Sequence, residues 1–242
     1  MDIQDRVTLI TGASEGIGLA TARRFAQAGA KLALVARSME KLTALADELR
    51  GRGAEAIAVP ADLRDPAQAR RMVDETTRHY GRIDILINNA GQAAVGKVAD
   101  LDLDDFRQII DLNLLGSFSA MQAVIPVMRK SGGGLVINVS TMVSKMRIPA
   151  LGAYAATKAA LNALSGTARA ELAPENIRVI TVFPRMTATD FSKHSLGDRE
   201  THQRVHANPD VPVDPPERVA DMILDAAIHE PEEQYVDGRQ PN

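Results

Sequence analysis

A tyrosine and a lysine four residues apart are the pair in this chain with the clearest capacity for chemistry. Tyr154 and Lys158 lie in the segment AYAATKAALNAL, which is rich in residues that favour helices. At positions i and i+4 of a helix, two side chains lie on the same face. An ammonium group beside a phenol favours the phenolate and so lowers the pKa of the phenol. The pair is therefore a candidate for proton exchange with a substrate oxygen, with a chance pairing as the alternative.

A glycine-rich turn, TGASEGIG at residues 11–18, follows the first apolar run and precedes the first helical pattern. Glycine permits a tight turn and a close approach of the backbone to a phosphate group. The N-terminus of the next helix offers free N–H groups and a partial positive charge. The turn predicts a dinucleotide-binding site, with an ordinary strand–helix turn as the alternative. Its predicted cofactor-binding residues are Gly12, Ser14, Glu15, Gly16, Ile17 and Gly18.

Arg37 stands at the end of the second predicted strand, where the choice between NAD and NADP is commonly made. A carboxylate there would bind the ribose hydroxyl groups of NAD, but the chain has Ala36 followed by Arg37. A guanidinium group binds a phosphate through paired hydrogen bonds. We therefore predict NADP(H), although the carboxylate of Glu15 would repel its 2′-phosphate. The alternative for Arg37 is a solvated residue at the start of a helix.

Strand-like and helix-like segments alternate along the chain. Short apolar runs predict buried parallel strands at residues 7–10, 31–36, 54–60, 83–88, 135–139 and 178–183, with a short last strand at 232–236. Helical patterns lie at residues 16–28, 39–50, 66–79, 104–129, 152–172 and 216–229. This alternation predicts an α/β fold with one doubly wound parallel sheet of the Rossmann type and helices on both faces. Ligands bind such sheets beyond the carboxyl ends of the strands.

The composition narrows the class of protein. The chain has 242 residues, no Cys and a formal net charge of −3 at pH 7. The length suits one domain, the lack of Cys excludes disulfides and thiolate metal sites, and the charge argues against nucleic acid as a partner. The first residues lack the features of a signal peptide, and no apolar stretch has the expected length of a membrane span. We therefore expect a cytoplasmic protein without a membrane partner.

Four motifs in order resemble those of the short-chain dehydrogenase/reductase family. They are the TGASEGIG turn, NNAG at residues 88–91, Asn113 in DLNLLG, and YAATK at residues 154–158. The resemblance covers about residues 5–190 and implies a single domain over residues 1–242, with a parallel sheet of about seven strands. Its first part, to about residue 140, would bind the dinucleotide, and residues 141–242 would carry the catalytic groups and a substrate lid. The implied chemistry is hydride transfer between a nicotinamide and a carbonyl or alcohol, without a metal.

The resemblance also implies roles for individual residues. Tyr154 resembles the family's proton donor and acceptor, and Lys158 resembles the residue that lowers its pKa and holds the nicotinamide ribose. Asn113 resembles the residue that positions a water between Lys158 and bulk solvent, with a solvated helix residue as the alternative. Further positions that resemble cofactor contacts are Asp62, Leu63, Asn89, Ala90, Gly91, Pro184, Thr187 and Thr189. A helix cap at Asp62 and a simple turn at NNAG are the alternatives there.

The hydroxyl partner of the tyrosine has two candidates. Counting back thirteen residues from Tyr154, the usual distance in the family, leads to Thr141, and Ser140 is its neighbour. Either hydroxyl could donate to a substrate oxygen and stabilise developing negative charge. Adjacent residues at a strand end point to opposite faces, so we expect one of the two in the site. We favour Thr141, but one inserted residue in the following loop would favour Ser140.

The last part of the chain departs most from the family. Arg185 stands where the family commonly has Gly, and it either points to solvent or contacts an anionic or polar substrate group. The polar segment 190–215 fits a mobile lid over the substrate. His202 and His206 are four residues apart, but no third ligand is placed with them, so we predict no metal site. The predicted aliphatic lining of the substrate pocket includes Met142, Val143, Met146 and Leu151.

The predicted function is an NADP(H)-dependent oxidoreductase that transfers a hydride between the nicotinamide and a carbonyl or secondary alcohol of a small molecule. The first alternative is a 3-oxoacyl-thioester reductase, which runs the same chemistry on a carrier-borne substrate. A second is an NADP(H)-binding regulator without catalysis, and a third is a structural protein on this fold. The resemblance also implies a homodimer or homotetramer built on the helices predicted at 104–129 and 152–172.

Overall fold

One parallel sheet organises the protein, which we describe from a computed structural model for residues 1–198, 201 and 212–236. Its seven strands have the order β3-β2-β1-β4-β6-β7-β9. They are β1 Val7–Thr11, β2 Lys31–Ala36, β3 Ala56–Pro60, β4 Ile85–Asn88, β6 Gly134–Val139, β7 Ile177–Phe183 and β9 Glu233–Tyr235. Two short strands, β5 Ala94–Val95 and β8 Leu196–Gly197, pair in a second, small sheet. The predicted fold class is therefore confirmed.

Helices cover both faces of the large sheet. They are α1 Gly16–Gln27, α2 Met39–Gly51, α3 Pro66–Tyr80, α4 Leu103–Ile110, α5 Ser117–Lys130, α6 Gly152–Leu172 and α7 Pro216–His229. One buried apolar cluster joins α1, α2 and α7 to the sheet, and a second joins α3, α5 and α6 to its other face. Ile10 belongs to the first cluster and its neighbour Leu9 to the second, as the alternation of side chains along a strand requires.

The helix predicted at 104–129 is interrupted in the middle. A six-residue π-helical segment, Asp111–Gly116, separates α4 from α5 and contains Asn113. Such segments are rare inside helices and occur frequently at functional sites. By length and composition, the run Leu103–Lys130 is also long and apolar enough to cross a membrane, so the expectation of no such stretch is wrong. In the structure, this run packs against the sheet through Ala120, Val124 and Met128.

The sheet places its ligand-binding edge between β1 and β4. The strand order runs from β1 outward through β2 and β3 on one side and from β4 through β6 and β7 on the other. A ligand crevice forms at such a reversal, beyond the carboxyl ends of the strands. The glycine turn follows β1, and the NNAG motif includes the end of β4. Both motifs therefore border the crevice.

Candidate active site

A cleft of about 630 Å³ opens at the carboxyl ends of the strands, a size that suits ligand sites in proteins. It collects residues from loops after β1, β2, β3, β4, β6 and β7, and from α6. The predicted site residues that line it are Gly12, Ser14, Glu15, Gly16, Ile17, Arg37, Asp62, Leu63, Asn89, Ala90, Gly91, Ser140, Thr141, Tyr154, Lys158, Pro184, Thr187 and Thr189. Gly18 and Asn113 lie behind the lining, because both are buried.

The glycine turn has little room for side chains. Gly12 has a φ of +66°, and a Cβ there would lie 2.9 Å from Asn89 Nδ2. A Cβ at Gly18 would lie 2.1 Å from the carbonyl oxygen of Gly12, so this glycine allows helix and turn to pack closely. Glu15, at the N-cap of α1, makes no capping hydrogen bond with its side chain. The N–H groups of the first turn are thus available to an anion, and the turn fits the pyrophosphate of a dinucleotide.

Charged side chains gather where β2 and β3 end. Arg37 is exposed on the cleft, and Lys41 lies one helical turn further along. The carboxylate of Glu15 pairs with Lys41 Nζ at 3.3 Å and with His194 Nε2 at 3.2 Å. The excess of cations at this end of the cleft favours a phosphate group.

Asp62 is held by its own local contacts. Arg64 binds its carboxylate at 2.5 Å, and this hydrogen bond lowers the pKa of Asp62. The helix-cap alternative for Asp62 does not hold, because Asp65 caps α3 by accepting a hydrogen bond from Ala67 N at 2.8 Å. Asp62 instead lines the cleft beside Leu63.

Tyr154 and Lys158 lie one turn apart on α6, at the other end of the cleft. The Nζ of Lys158 donates to the carbonyl oxygen of Val139 at 2.8 Å, and Lys158 is 3% exposed. The Thr141 hydroxyl lies close enough to the Tyr154 hydroxyl to lower the pKa of the phenol. Ser140 also lines the cleft, but its Oγ donates to Asn162 Oδ1 at 2.6 Å. Of the two candidate hydroxyls, Thr141 is the one that acts on the tyrosine.

Burial shifts both ionisable groups of this pair toward their neutral forms. It raises the pKa of Tyr154 above its ordinary value, while the hydrogen bond from Thr141 acts in the opposite direction. This net direction is the reverse of the one expected from the lysine alone, because desolvation by burial is the largest cause of the shift. Burial also lowers the pKa of Lys158 to about 8. Without a bound cofactor, Tyr154 is therefore a neutral phenol, one helical turn from a lysine whose pKa is about 8.

Asn113 is locked in the π-helical segment. Its Oδ1 accepts from the backbone N–H of Gln92 at 2.9 Å, and its Nδ2 donates to the Gln92 carbonyl at 2.9 Å and to Thr157 Oγ1 at 3.1 Å. The alternative of a solvated helix residue is wrong, because Asn113 is fully buried. A Cβ at Gly91 would lie 3.2 Å from Asn113 Oδ1 and 3.5 Å from Lys158 Nζ. Both polar groups therefore border one small space next to Gly91.

Several residues of the site were not predicted from the sequence. Phe191 lies with its ring centroid 5.8 Å from that of Tyr154, and Gln92 donates to the carbonyl oxygen of His194 at 2.5 Å. Neither has a spacing signal, because Gln92 lies in a loop and Phe191 in the short 3-10 helix Asp190–His194. Val143 and Leu151 line the cleft as predicted.

Met142 and Met146 were predicted to line the pocket but are not part of the lining, and Met146 is 52% exposed. The short 3-10 helix Met142–Lys145 is responsible, since it turns the chain after β6 and places Val143 toward the cleft.

Arg185 was expected either to point to solvent or to contact a polar or anionic substrate group. Its guanidinium group instead pairs with the carboxylate of Asp214 at 3.0 Å. His202 and His206 lie outside the described residues.

Comparisons with known proteins agree with this geometry. The family described as short chain dehydrogenase matches residues 6–200. The chain belongs to the short-chain dehydrogenase family. The prediction of the family is confirmed, and the predicted class of enzyme, an oxidoreductase acting on CH–OH and C=O groups, is that of the family. Members bind a nicotinamide dinucleotide and are generally soluble.

Individual relatives differ in name and length. An uncharacterized oxidoreductase of Mycobacterium bovis is 35% identical over 236 residues, which are 95% of this chain but 66% of that protein. This chain therefore spans less than two thirds of the length of that relative. A 3-oxoacyl-(acyl-carrier-protein) reductase of Thermotoga maritima is 34% identical, over 99% of this chain and 96% of that protein. The structure of a 3-ketoacyl-(acyl-carrier-protein) reductase from Brucella melitensis, complexed with NADH, is 25% identical with a TM-score of 0.85 and covers 97% of both chains.

The lowered pKa of Lys158 predicts a pH-dependent stability. An unfolded lysine titrates near pH ~10.4, so between about pH 8 and that value the unfolded chain binds more protons than the folded one. The free energy of unfolding should therefore rise with pH across this window, and the rise should be missing in Lys158→Met. Urea unfolding without cofactor at several pH values measures it. The exposed Lys97→Met is the control, and an equal pH dependence in wild type and Lys158→Met would contradict the burial of the ammonium group.

Proposed function

We propose that the protein is an NADP(H)-dependent oxidoreductase that interconverts a carbonyl and a secondary alcohol of a small molecule. One observation carries the proposal: Tyr154, Lys158 and Thr141 meet at one end of a cleft whose other end is the glycine turn. We assign residues 1–140 to dinucleotide binding, and residues 141–242 to catalysis and substrate binding. A cytoplasmic location and a homodimer or homotetramer remain predictions.

The side chains divide the chemistry of carbonyl reduction among them. NADPH, when bound, supplies the hydride to the carbonyl carbon. Thr141 donates a hydrogen bond to the carbonyl oxygen and holds it next to Tyr154. The Tyr154 hydroxyl then gives its proton to that oxygen, where negative charge develops. Burial keeps the phenol protonated before this step, as a general acid requires.

Lys158 and Asn113 restore the proton of Tyr154. The Lys158 ammonium stabilises the phenolate that forms, because opposite charges attract strongly in a buried site. A carbonyl-type oxygen has two lone pairs, and one pair of Asn113 Oδ1 accepts from Gln92 N. The other can hold a water in the space next to Gly91, between Asn113 and Lys158. This water would connect the lysine to bulk solvent.

The preference for NADP(H) rests on the charges after β2. Arg37 supplies a cation on the cleft beside the paired charges of Lys41 and Glu15, and the end of β2 is followed by Arg37 rather than by a carboxylate. The repulsion expected from Glu15 is reduced, because its carboxylate already pairs with Lys41 and His194. NAD(H) is the competing cofactor, as the Brucella reductase was solved with NADH.

A second function has specific support. The Thermotoga relative, over nearly the whole chain, is named as a reductase of 3-oxoacyl groups on an acyl carrier protein. The side chains of this site would act in the same way on such a thioester. NADPH oxidation against ketones, aldehydes, diketones and 3-oxoacyl thioesters separates the two functions. Cofactor binding without any turnover would favour the regulator instead.

Replacing the general acid should remove most of the activity. We expect Tyr154→Phe to lower kcat about 10²- to 10⁴-fold with little change in NADPH affinity, since the ring remains and the proton donor is lost. Steady-state kinetics and NADPH fluorescence titration measure the two quantities. Tyr80→Phe removes a hydroxyl that bonds the carbonyl oxygen of Leu32, and serves as the control. Full activity in Tyr154→Phe would rule out the mechanism.

The two neighbouring hydroxyls should differ in importance. Thr141→Val keeps the shape and removes the hydroxyl that would hold the carbonyl oxygen next to Tyr154, so we expect kcat/KM to fall about a hundredfold. Ser140→Ala should cost less than about tenfold, because Ser140 bonds Asn162 rather than the tyrosine. Equal effects of the two substitutions on kcat/KM would contradict the assignment of Thr141.

The cofactor preference should depend on Arg37. Loss of its charge-assisted hydrogen bonds in Arg37→Ser should lower the ratio of kcat/KM for NADPH to that for NADH about tenfold or more. Arg52→Ser, an exposed arginine at the end of α2, is the matched control. A wild-type preference for NADH, or an unchanged ratio in Arg37→Ser, would overturn the NADP(H) proposal.

A further inference from the structure

An ion pair occupies the guanidinium group of Arg185 at the wall of the cleft. Arg185 lines the cleft in the turn after β7, next to Pro184. Its guanidinium binds the carboxylate of Asp214 in a two-pronged contact, Nε to Oδ2 at 3.1 Å and Nη2 to Oδ1 at 3.0 Å. The side chain of Asp214 is 4% exposed and also accepts from Arg218 Nη1 at 3.1 Å.

The backbone fixes the position of this carboxylate. The N–H of Asp214 donates to the carbonyl oxygen of Met186 at 2.8 Å, and the N–H of Ala188 donates to the carbonyl oxygen of Asp214 at 2.9 Å. Thr187 and Asp214 form a parallel bridge between the two segments. Asp214 is thus anchored to the turn that carries Arg185, and breaking this buried pair on one side is costly.

The other basic side chains of the cleft either lie at its far end or already have a hydrogen-bond or ion-pair partner. Within the described ranges, the cleft is lined by the cationic side chains of Arg37, Lys41, Arg64, Lys158 and Arg185, and by the imidazole of His194. The first three follow β2 and β3, at the end of the cleft away from Tyr154. His194 pairs with Glu15, and Lys158 donates to the carbonyl oxygen of Val139. Arg185 is therefore the described cation best placed to meet a substrate carboxylate.

The wall around the tyrosine is apolar. Val143, Leu151 and Phe191 pack with Tyr154 in one hydrophobic cluster and also line the cleft. Such a wall binds uncharged parts of a substrate and disfavours an ion that loses its water. A substrate carboxylate would need to displace Asp214 from Arg185 to find a partner there.

We propose that Asp214 is a specificity-determining residue, which neutralises Arg185 and makes the site select uncharged carbonyl substrates over oxo-carboxylates. The inference rests on the proposed oxidoreductase function and names its substrate class. Asp214 acts through Arg185 and does not contact the reacting atoms.

The wild-type enzyme provides the first test. Ethyl acetoacetate and acetoacetate share a reacting ketone and differ in charge, and we expect kcat/KM for the ester to exceed that for the acid about tenfold or more. If neither is reduced but another carbonyl compound is, both are assayed as inhibitors, and the acid should bind more weakly. Equal or better use of the acid would overturn the inference. Absence of turnover with every carbonyl compound would instead overturn the proposed function.

Substitutions then test whether Asp214, acting through Arg185, causes the preference for the uncharged ester. Asp214→Asn should remove the negative charge that neutralises Arg185 and shift the ester-to-acid ratio of kcat/KM toward the acid about tenfold. The double variant Arg185→Met with Asp214→Asn should lose this shift, and its persistence would overturn the role of Arg185. Asp221→Asn, an exposed acid on α7, is the matched control. If Asp214→Asn does not fold, Arg185→Met alone should strengthen the preference for the ester, and a weaker preference would contradict the inference.

Discussion

The site depends on how tightly the ends of β1 and β4 are joined. The Thr11 hydroxyl donates to the carbonyl oxygen of Ile87 at 3.2 Å and accepts from Asn89 N and Ala90 N at 2.9 and 3.0 Å. In return, Asn89 Nδ2 donates to the carbonyl oxygen of Thr11 at 2.9 Å. These bonds bring the two turns so close that a Cβ at Gly12 would collide with Asn89. The glycine is therefore required by the neighbouring strand as well as by any ligand.

A buried chain of polar groups extends this rigidity to the helices. Asn88 Nδ2 donates to Asn138 Oδ1 at 2.9 Å, and Asn138 Nδ2 donates to Ser165 Oγ at 2.8 Å. Asn88 also donates to the carbonyl oxygen of Ser117, whose hydroxyl donates to the carbonyl oxygen of Asn113. Buried hydrogen bonds of this kind make a core rigid and specific, although Asn88 Oδ1 itself is buried without a hydrogen-bond partner. These hydrogen bonds thus fix the positions of the sheet, the π-helical segment and α6 relative to one another.

The sequence was sufficient for the features that follow from local periodicity and glycine chemistry. The parallel sheet with helices on both faces, the turn at Gly12 and the shared face of Tyr154 and Lys158 are of this kind, whereas the number of seven strands came from the family resemblance. Short strands of two residues and the π-helical interruption carry no periodic signal, so they could not be predicted. The partner of Arg185 lies 29 residues away along the chain, and only folding brings it near. The direction of the pKa shift of Tyr154 likewise depends on burial, which a motif does not encode.

Gly91 affects whether a water can lie between Asn113 and Lys158 in the proposed mechanism. Its missing side chain leaves the small space shared by Asn113 and Lys158 open. A larger residue at this position would fill the space that the proposed water occupies. The return of the proton to the tyrosine would then depend on a residue that has no chemical group of its own.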